Sequence, residues 1–230
     1  MVRSPPWLRI ILKIFIMKYP LNSSAPGPLS LLFCLLAFLV TAAVTFSSAE
    51  DPPGPKLDPI FNGKDLTGWQ VPSPNPFWKV VDGVLVGEND PEKKGSMLYT
   101  TQAYDDVIIE AEVRWQGEID SGFMIRKPEI QLQIGVSRSL KKDMTGSFYL
   151  GGYPDAGQAK DAAKLLKAGD WNRLRLQAKG NTFTVWINGT KASEYTDAKF
   201  AGPAPLGLQI HAGLEMKVEF RNIQAAVLPK

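Results

Sequence analysis

The sequence predicts an all-β fold, a two-sheet antiparallel sandwich, and three observations carry that prediction. Three separate segments alternate strictly between apolar and polar residues, turn signals lie between strand-like segments, and only one short stretch has helical spacing. Alternation at period two places successive side chains on opposite faces of a strand, so one face can be buried while the other stays polar. Many short strands joined by Gly- and Pro-containing turns bury those faces by stacking as two sheets.

Taken in order, the 230 residues begin with a segment that does not belong to this core. Residues 29–46 are an almost unbroken apolar run, preceded by Arg3, Arg9, Lys13 and Lys18 and followed by Ser47-Ser48-Ala49. A basic start, an apolar middle and a small-residue exit make the layout of a secretory signal. About 18 apolar residues also come close to spanning a bilayer, so residues 1–49 read as a signal peptide or, if uncleaved, as a membrane anchor. The small-residue exit and the lack of a basic stop-transfer cluster favour cleavage, which predicts an exported protein. Met17-Lys18 would make a more ordinary start, with residues 1–16 as an extension. Cys34 follows the bulky Phe33 and the apolar run continues past it, which argues against a lipoprotein site.

Removing the leader changes the charge balance. The whole chain has 26 Lys+Arg against 23 Asp+Glu; the leader holds four of the former and no acid, leaving 22 against 23. A near-neutral domain gives no support to nucleic-acid binding. The single cysteine leaves as well, so the remaining fold depends on its hydrophobic core alone.

Residues 50–56 hold the stiff spacer Asp51-Pro52-Pro53-Gly54-Pro55, and residues 57–230 form the domain. Within it, Val107–Trp115 sets Ile109, Ala111, Val113 and Trp115 opposite Glu110, Glu112 and Arg114. Residues 129–134 set Ile130, Leu132 and Ile134 opposite Glu129, Gln131 and Gln133. Residues 161–168 have the only helical spacing, through Ala162, Leu165 and Leu166. Residues 173–178 alternate again, and Lys179-Gly180-Asn181 and Asn188-Gly189 bracket Thr182–Ile187 as hairpin turns. Residues 206–211 place Gln209 and His211 opposite Leu208 and Ile210.

An ordered set of motifs runs through this domain. It opens with Phe61-Asn62-Gly63-Lys64-Asp65-Leu66-Thr67-Gly68-Trp69 and Trp78-Lys79-Val80-Val81-Asp82-Gly83. Asp120-Ser121-Gly122-Phe123-Met124-Ile125-Arg126, Glu129-Ile130-Gln131 and Thr145-Gly146-Ser147-Phe148-Tyr149 follow. Gly169-Asp170-Trp171-Asn172, Gly207-Leu208-Gln209-Ile210-His211 and Phe220-Arg221-Asn222-Ile223 complete it. Over residues 57–228 the set resembles the 3-keto-disaccharide hydrolase family. The resemblance implies a concanavalin-A-like jelly roll, a carbohydrate ligand and hydrolase or lyase action on 3-keto-glycosides. In that chemistry a base removes the proton on carbon 2, the group on carbon 1 is eliminated and water adds back. A general base, a donor or cation at the enolate oxygen and an acid for the leaving group are needed, not the carboxylate pair of ordinary glycosidases.

His211 is the only histidine, the side-chain type whose ordinary range lies nearest neutrality, and it matches the family's Leu-Gln-x-His pattern; it is the candidate base, acid or metal ligand. Glu129 and Gln131 match the family's Glu-x-Gln motif, and Arg126 beside them suits an enolate or a sugar hydroxyl. The predicted catalytic set is therefore His211, Glu129 and Arg126, with Gln131, Gln209, Tyr149, Tyr153 and Arg221 as substrate-binding candidates. Tyr149 and Tyr153 flank Leu150-Gly151-Gly152 and are the stacking candidates. Asn172 reads as structural. The family usually has an aspartate shortly after Glu-x-Gln, whereas this chain continues Leu132-Gln133-Ile134-Gly135-Val136. That departure removes a carboxylate from any metal site and keeps a non-catalytic carbohydrate-binding module as the rival reading. A calcium site, with Asp105-Asp106 or Asn89-Asp90 as candidates, stays open.

Overall fold

The computed structural model describes residues 54–229; the leader and most of the spacer lie outside the described residues. The strands begin with β1 (Asp58–Pro59), β2 (Trp69–Gln70), β3 (Trp78–Val81), β4 (Val84–Glu88) and β5 (Ser96–Tyr104). Then come β6 (Val107–Trp115), β7 (Asp120–Ile125), β8 (Ile130–Ser137), β9 (Lys142–Asp143) and β10 (Phe148–Tyr149). After one helical turn, α1 (Ala162–Leu165), the chain finishes with β11 (Asn172–Lys179), β12 (Thr182–Ile187), β13 (Thr190–Thr196), β14 (Ala204–Ile210) and β15 (Lys217–Val227).

These strands form two antiparallel sheets. One runs β13-β12-β11-β6-β15-β4-β3, with β1 added on β15; the other runs β10-β8-β7-β14-β5-β2, with β9 added on β8. Neighbours distant in sequence, such as β6 with β15 and β7 with β14, make the crossovers of a jelly roll. The alternating segments of the sequence are β6, β8 and β11, and their apolar residues Ile109, Leu132, Leu174 and Leu176 are fully buried between the sheets. Phe123 meets Phe220 across the sandwich at 6.2 Å between ring centroids, and Phe148 meets Phe183 at 6.0 Å.

Local chemistry explains several connections. Asn188 and Gly189 adopt φ of 51° and 86°, the two positive values that a tight hairpin between β12 and β13 requires. The Asn188 amide donates to Leu165 O and to Asn172 Oδ1, and Asn172 donates to Lys167 O and Asp170 O, so this pair ties α1 and the following turn to the sheet. Asn172 thus has the structural role that the family resemblance implied for it. The opening motif is a self-bonded turn: Asn62 Oδ1 accepts from the backbone of Lys64 and Asp65, and Asp65 Oδ1 accepts from that of Thr67. The helix expected over 161–168 shrinks to α1, because Leu166 is already extended at φ −82°, ψ 142°.

Candidate active site

The site builds on the outer face of the sheet that contains β8. Register sets Tyr149, Gln131, Met124, Gly207 and Tyr99 in one line across β10, β8, β7, β14 and β5. The next line holds Gln133, Gly122, Gln209 and Met97. At the β10 end, the turn after β8 and the glycine loop after β10 wall off a cleft of about 280 Å³, lined by Asp120, Gln131, Gln133, Tyr149, Tyr153, Gln209 and His211, with Ser137, Arg138 and Ser139 at its rim.

Hydrogen bonds organise its floor. Gln133 Nε2 donates to Asp120 Oδ1 at 2.9 Å, and the Arg138 backbone N–H donates to Asp120 Oδ2 at 3.2 Å. Gln131 Nε2 faces Gln133 Oε1 at 2.9 Å, Gln209 Oε1 at 3.0 Å and the Ser121 carbonyl at 3.3 Å. Gly122 makes room for that amide: a Cβ there would stand 2.7 Å from Gln131 Nε2 and 2.6 Å from Leu132 O.

His211 follows the last residue of β14. Its backbone N–H donates to Asp120 O at 3.2 Å and its carbonyl accepts from Asn89, so the residue is held by main chain on both sides. Its Nδ1 lies 2.7 Å from Ala212 O. A carbonyl can only accept, so Nδ1 carries the proton and Nε2 of the neutral ring is the lone-pair nitrogen. Tyr149 and Tyr153 pack at 5.1 Å between ring centroids. Burial pushes the Tyr153 phenol up to about 12, against a lowering bond to Ser137 and with the charge of Asp120 raising it further.

The cleft therefore brings together Gln131, Gln209, Tyr149, Tyr153 and His211, but not the other three predicted residues. Arg126 is 1% exposed and does not line the cleft. It sits just past β7 at φ 66°, donating to Asp105 Oδ1 at 2.6 Å, to Asp106 Oδ1 at 2.9 Å and to Gly180 O at 3.0 Å. A buried guanidinium joining three turns is a structural clamp, and it also accounts for the Asp105-Asp106 pair considered for calcium. Glu129 lies on the same sheet face but in a separate hollow with Gln70 and Pro205, which Arg126 also lines, and there the Tyr99 hydroxyl donates to it at 2.7 Å. Arg221 belongs to the other sheet: it pairs with Glu112 at 2.9 Å and its guanidinium carbon lies 4.1 Å from the Trp171 ring centroid.

Sequence reasoning missed Asp120, Gln133 and the rim residues. Gln133 could have been found, since it alternates in phase with Gln131. Asp120 stood inside a recognised motif, but only the pairing of β7 with β8 shows that it lies beneath Gln133.

The family model described as the 3-keto-alpha-glucoside-1,2-lyase-like domain matches residues 56–226. The chain belongs to this family. No curated protein matches the chain. Among solved structures, a glycosyl hydrolase candidate from Parabacteroides distasonis is similar at 21% identity and TM-score 0.58, over 76% of this chain and 100% of that one. The carbohydrate binding module CBM66 from Bacillus subtilis is similar at 15% identity and TM-score 0.51, over 69% and 95%. The beta-glucanase of Bacillus licheniformis is similar at 16% identity and TM-score 0.50, over 78% and 100%. At these identities the likeness speaks to the fold, a concanavalin-A-like sandwich.

In this 3-keto-alpha-glucoside-1,2-lyase-like domain the oxygen atoms considered for calcium take part in hydrogen bonds. Among the described residues no three His, Cys, Asp or Glu side chains come together. Both oxygens of Asp120, the cleft's carboxylate, accept hydrogen bonds. Asn89 and Asp90 are likewise engaged, with Lys94, His211 and Met216.

Proposed function

We propose that this domain cleaves 3-keto-glycosides by elimination and hydration. The observation that carries the reading is His211, whose Nδ1 is held by Ala212 O so that the free lone pair sits on Nε2 of a ring lining an amide-rich cleft. A ketone at carbon 3 acidifies the proton on carbon 2. Nε2 takes that proton while the C–H electrons form the C2–C3 double bond and oxygen 3 becomes an enolate. Collapse of the enolate restores the ketone, forms the C1–C2 double bond and breaks C1–O, and the leaving oxygen takes the proton back from the imidazolium. Water then adds its oxygen to carbon 1 and a proton to carbon 2, so one glycosidic bond and one water become two hydroxyls.

The remaining side chains fit roles around that path. Tyr153, a phenol held neutral well above physiological pH, donates to the developing enolate oxygen. Arg138, at the rim with a side chain 36% exposed, adds positive charge. Tyr149 offers an aromatic surface for the sugar ring.

The test is turnover of 3-keto-glucosides and their unoxidised parents, with and without chelator, by wild-type and His211→Gln protein. Cleavage of the keto forms alone, unaffected by chelator and lost in the variant, is expected. Cleavage of the unoxidised parents would overturn the reading.

A second reading is a carbohydrate-binding module, favoured by a floor made of neutral amides and by two adjacent tyrosines, groups that hold a sugar without reacting with it. Saturable glycan binding without turnover would select it. We further propose export, on the layout of residues 1–49; an exported protein beginning at Glu50 would agree, and a retained apolar run would make it an anchored one.

A further inference from the structure

Three glutamines crowd the cleft floor, and an amide presents a donor on one side and an acceptor on the other. Which side faces the ligand is ordinarily an assignment. Here fixed partners decide it. A carboxylate only accepts, so Gln133 must turn its NH2 to Asp120 Oδ1 and its carbonyl to Gln131. The two hydrogens of the Gln131 NH2 go to its two shorter contacts, Gln133 Oε1 at 2.9 Å and Gln209 Oε1 at 3.0 Å, with the Ser121 carbonyl a longer third contact at 3.3 Å. Gln209 consequently meets Gln131 through its oxygen. Two groups are left without a partner among the described residues: the carbonyl of Gln131 and the NH2 of Gln209.

We propose that Asp120 is a positioning residue that, through Gln133, sets these two amides to read an α-hydroxyketone. The Gln209 NH2 donates to the ketone oxygen, which can only accept and which gains charge in the enolate. The Gln131 carbonyl accepts from the neighbouring hydroxyl and is strengthened as an acceptor because its own NH2 feeds a chain that ends on a carboxylate. This deepens the proposed function and rests on it for the identity of the ligand; the amide directions rest on hydrogen bonding alone.

The isosteric substitution Asp120→Asn tests the relay because of Arg138. The Arg138 backbone N–H cannot turn round, so it keeps the new side chain's oxygen, and the new NH2 faces Gln133. Gln133 must then reverse, presenting its NH2 to Gln131, which turns its carbonyl towards it, gives up the 3.3 Å contact with Ser121 and accepts from the Gln209 NH2. Adding Gln133→Glu restores the direction: the new carboxylate accepts from the asparagine on one side and from Gln131 on the other.

Two readouts are needed. By NMR on the full protein, wild type should show slowly exchanging side-chain amides for Gln131 and Gln133 and fast exchange for Gln209. Asp120→Asn should slow the Gln209 amide, and the double variant should return it to fast exchange. In turnover of a methyl 3-keto-glucoside, Asp120→Asn should lower kcat/KM by about 100-fold, the size of losing one oriented donor at a developing oxyanion, and the double variant should recover at least tenfold of it, with all three melting alike. A protected Gln209 amide in wild type, or a double variant no better than the single one in both readouts, overturns the proposal. The expected exchange pattern in a wild type that cleaves no keto-glucoside would sink the catalytic reading and leave the relay standing.

Discussion

Arg126 and Asp106 form an ion pair at 2.9 Å in which the guanidinium is 1% exposed and the carboxylate side chain 14%. Burial alone would raise Asp106, but the Arg126 bond and the Gly180 N–H hold it below its ordinary 3.8. The residue that looked catalytic beside Glu129 is instead what holds the turns after β5, β7 and β11 together. Asp106→Asn should cost about 2 kcal/mol, the worth of a hydrogen bond to a charged group, read from urea melts. Activity per folded molecule should stay unchanged; its loss with an unaltered melt would return Arg126 to the catalytic set.

Gly122 is the floor beneath Gln131, and the contacts a Cβ would make there include the immovable Leu132 carbonyl at 2.6 Å. Gly122→Ala should destabilise by about 1–3 kcal/mol, as overpacking does, and weaken ligand binding by displacing the Gln131 amide. Gly152→Ala is the control, because a Cβ there meets nothing within 4 Å. Equal effects from the two would contradict the role given to the Gly122 floor.

On the opposite sheet, Glu112 is held below its ordinary 4.5 chiefly by the bond from Arg221, then by Asn222, against burial. A carboxyl lowered on folding contributes stability that is complete above the unfolded value and lost as pH falls through the folded one. Urea midpoints should therefore fall below about pH 4.5, and Glu112→Gln should flatten that decline while leaving cleft binding intact.

Tyr153 makes the opposite prediction at alkaline pH. Its phenol is raised from an ordinary 10.0 to about 12, so the unfolded chain releases this proton first. Stability from this group is complete below pH 10 and lost as pH rises towards 12. Tyr153→Phe should remove that part of the slope, and ultraviolet titration should lose a phenol that ionises at about pH 12.

The fold was legible because alternation is a local property. Ile130, Leu132 and Ile134 repeat at period two, and no arrangement other than a strand buries all three on one side. The Asn188-Gly189 hairpin was legible for the same reason, since two adjacent residues that tolerate positive φ suffice to define it. Half of the cleft could be read as well: Gln131, Gln209 and His211 lie on polar strand faces, and the tyrosines bracket a visible glycine loop.

What stayed hidden depends on which strands become neighbours. Arg126 and Glu129 are three residues apart and line one hollow, yet the Arg126 guanidinium is taken by Asp105 and Asp106 from the turn after β5, while Glu129 accepts from Tyr99 on β5. Asp120 reaches the cleft only because β7 lies between β8 and β14, a pairing made across 88 residues at the Ser121–Gln209 hydrogen bond. The sequence by itself determined the strands, their buried faces and the family. Tertiary structure alone decided which polar faces meet, because hydrogen bonds between distant strands are chosen by the closure of the whole core.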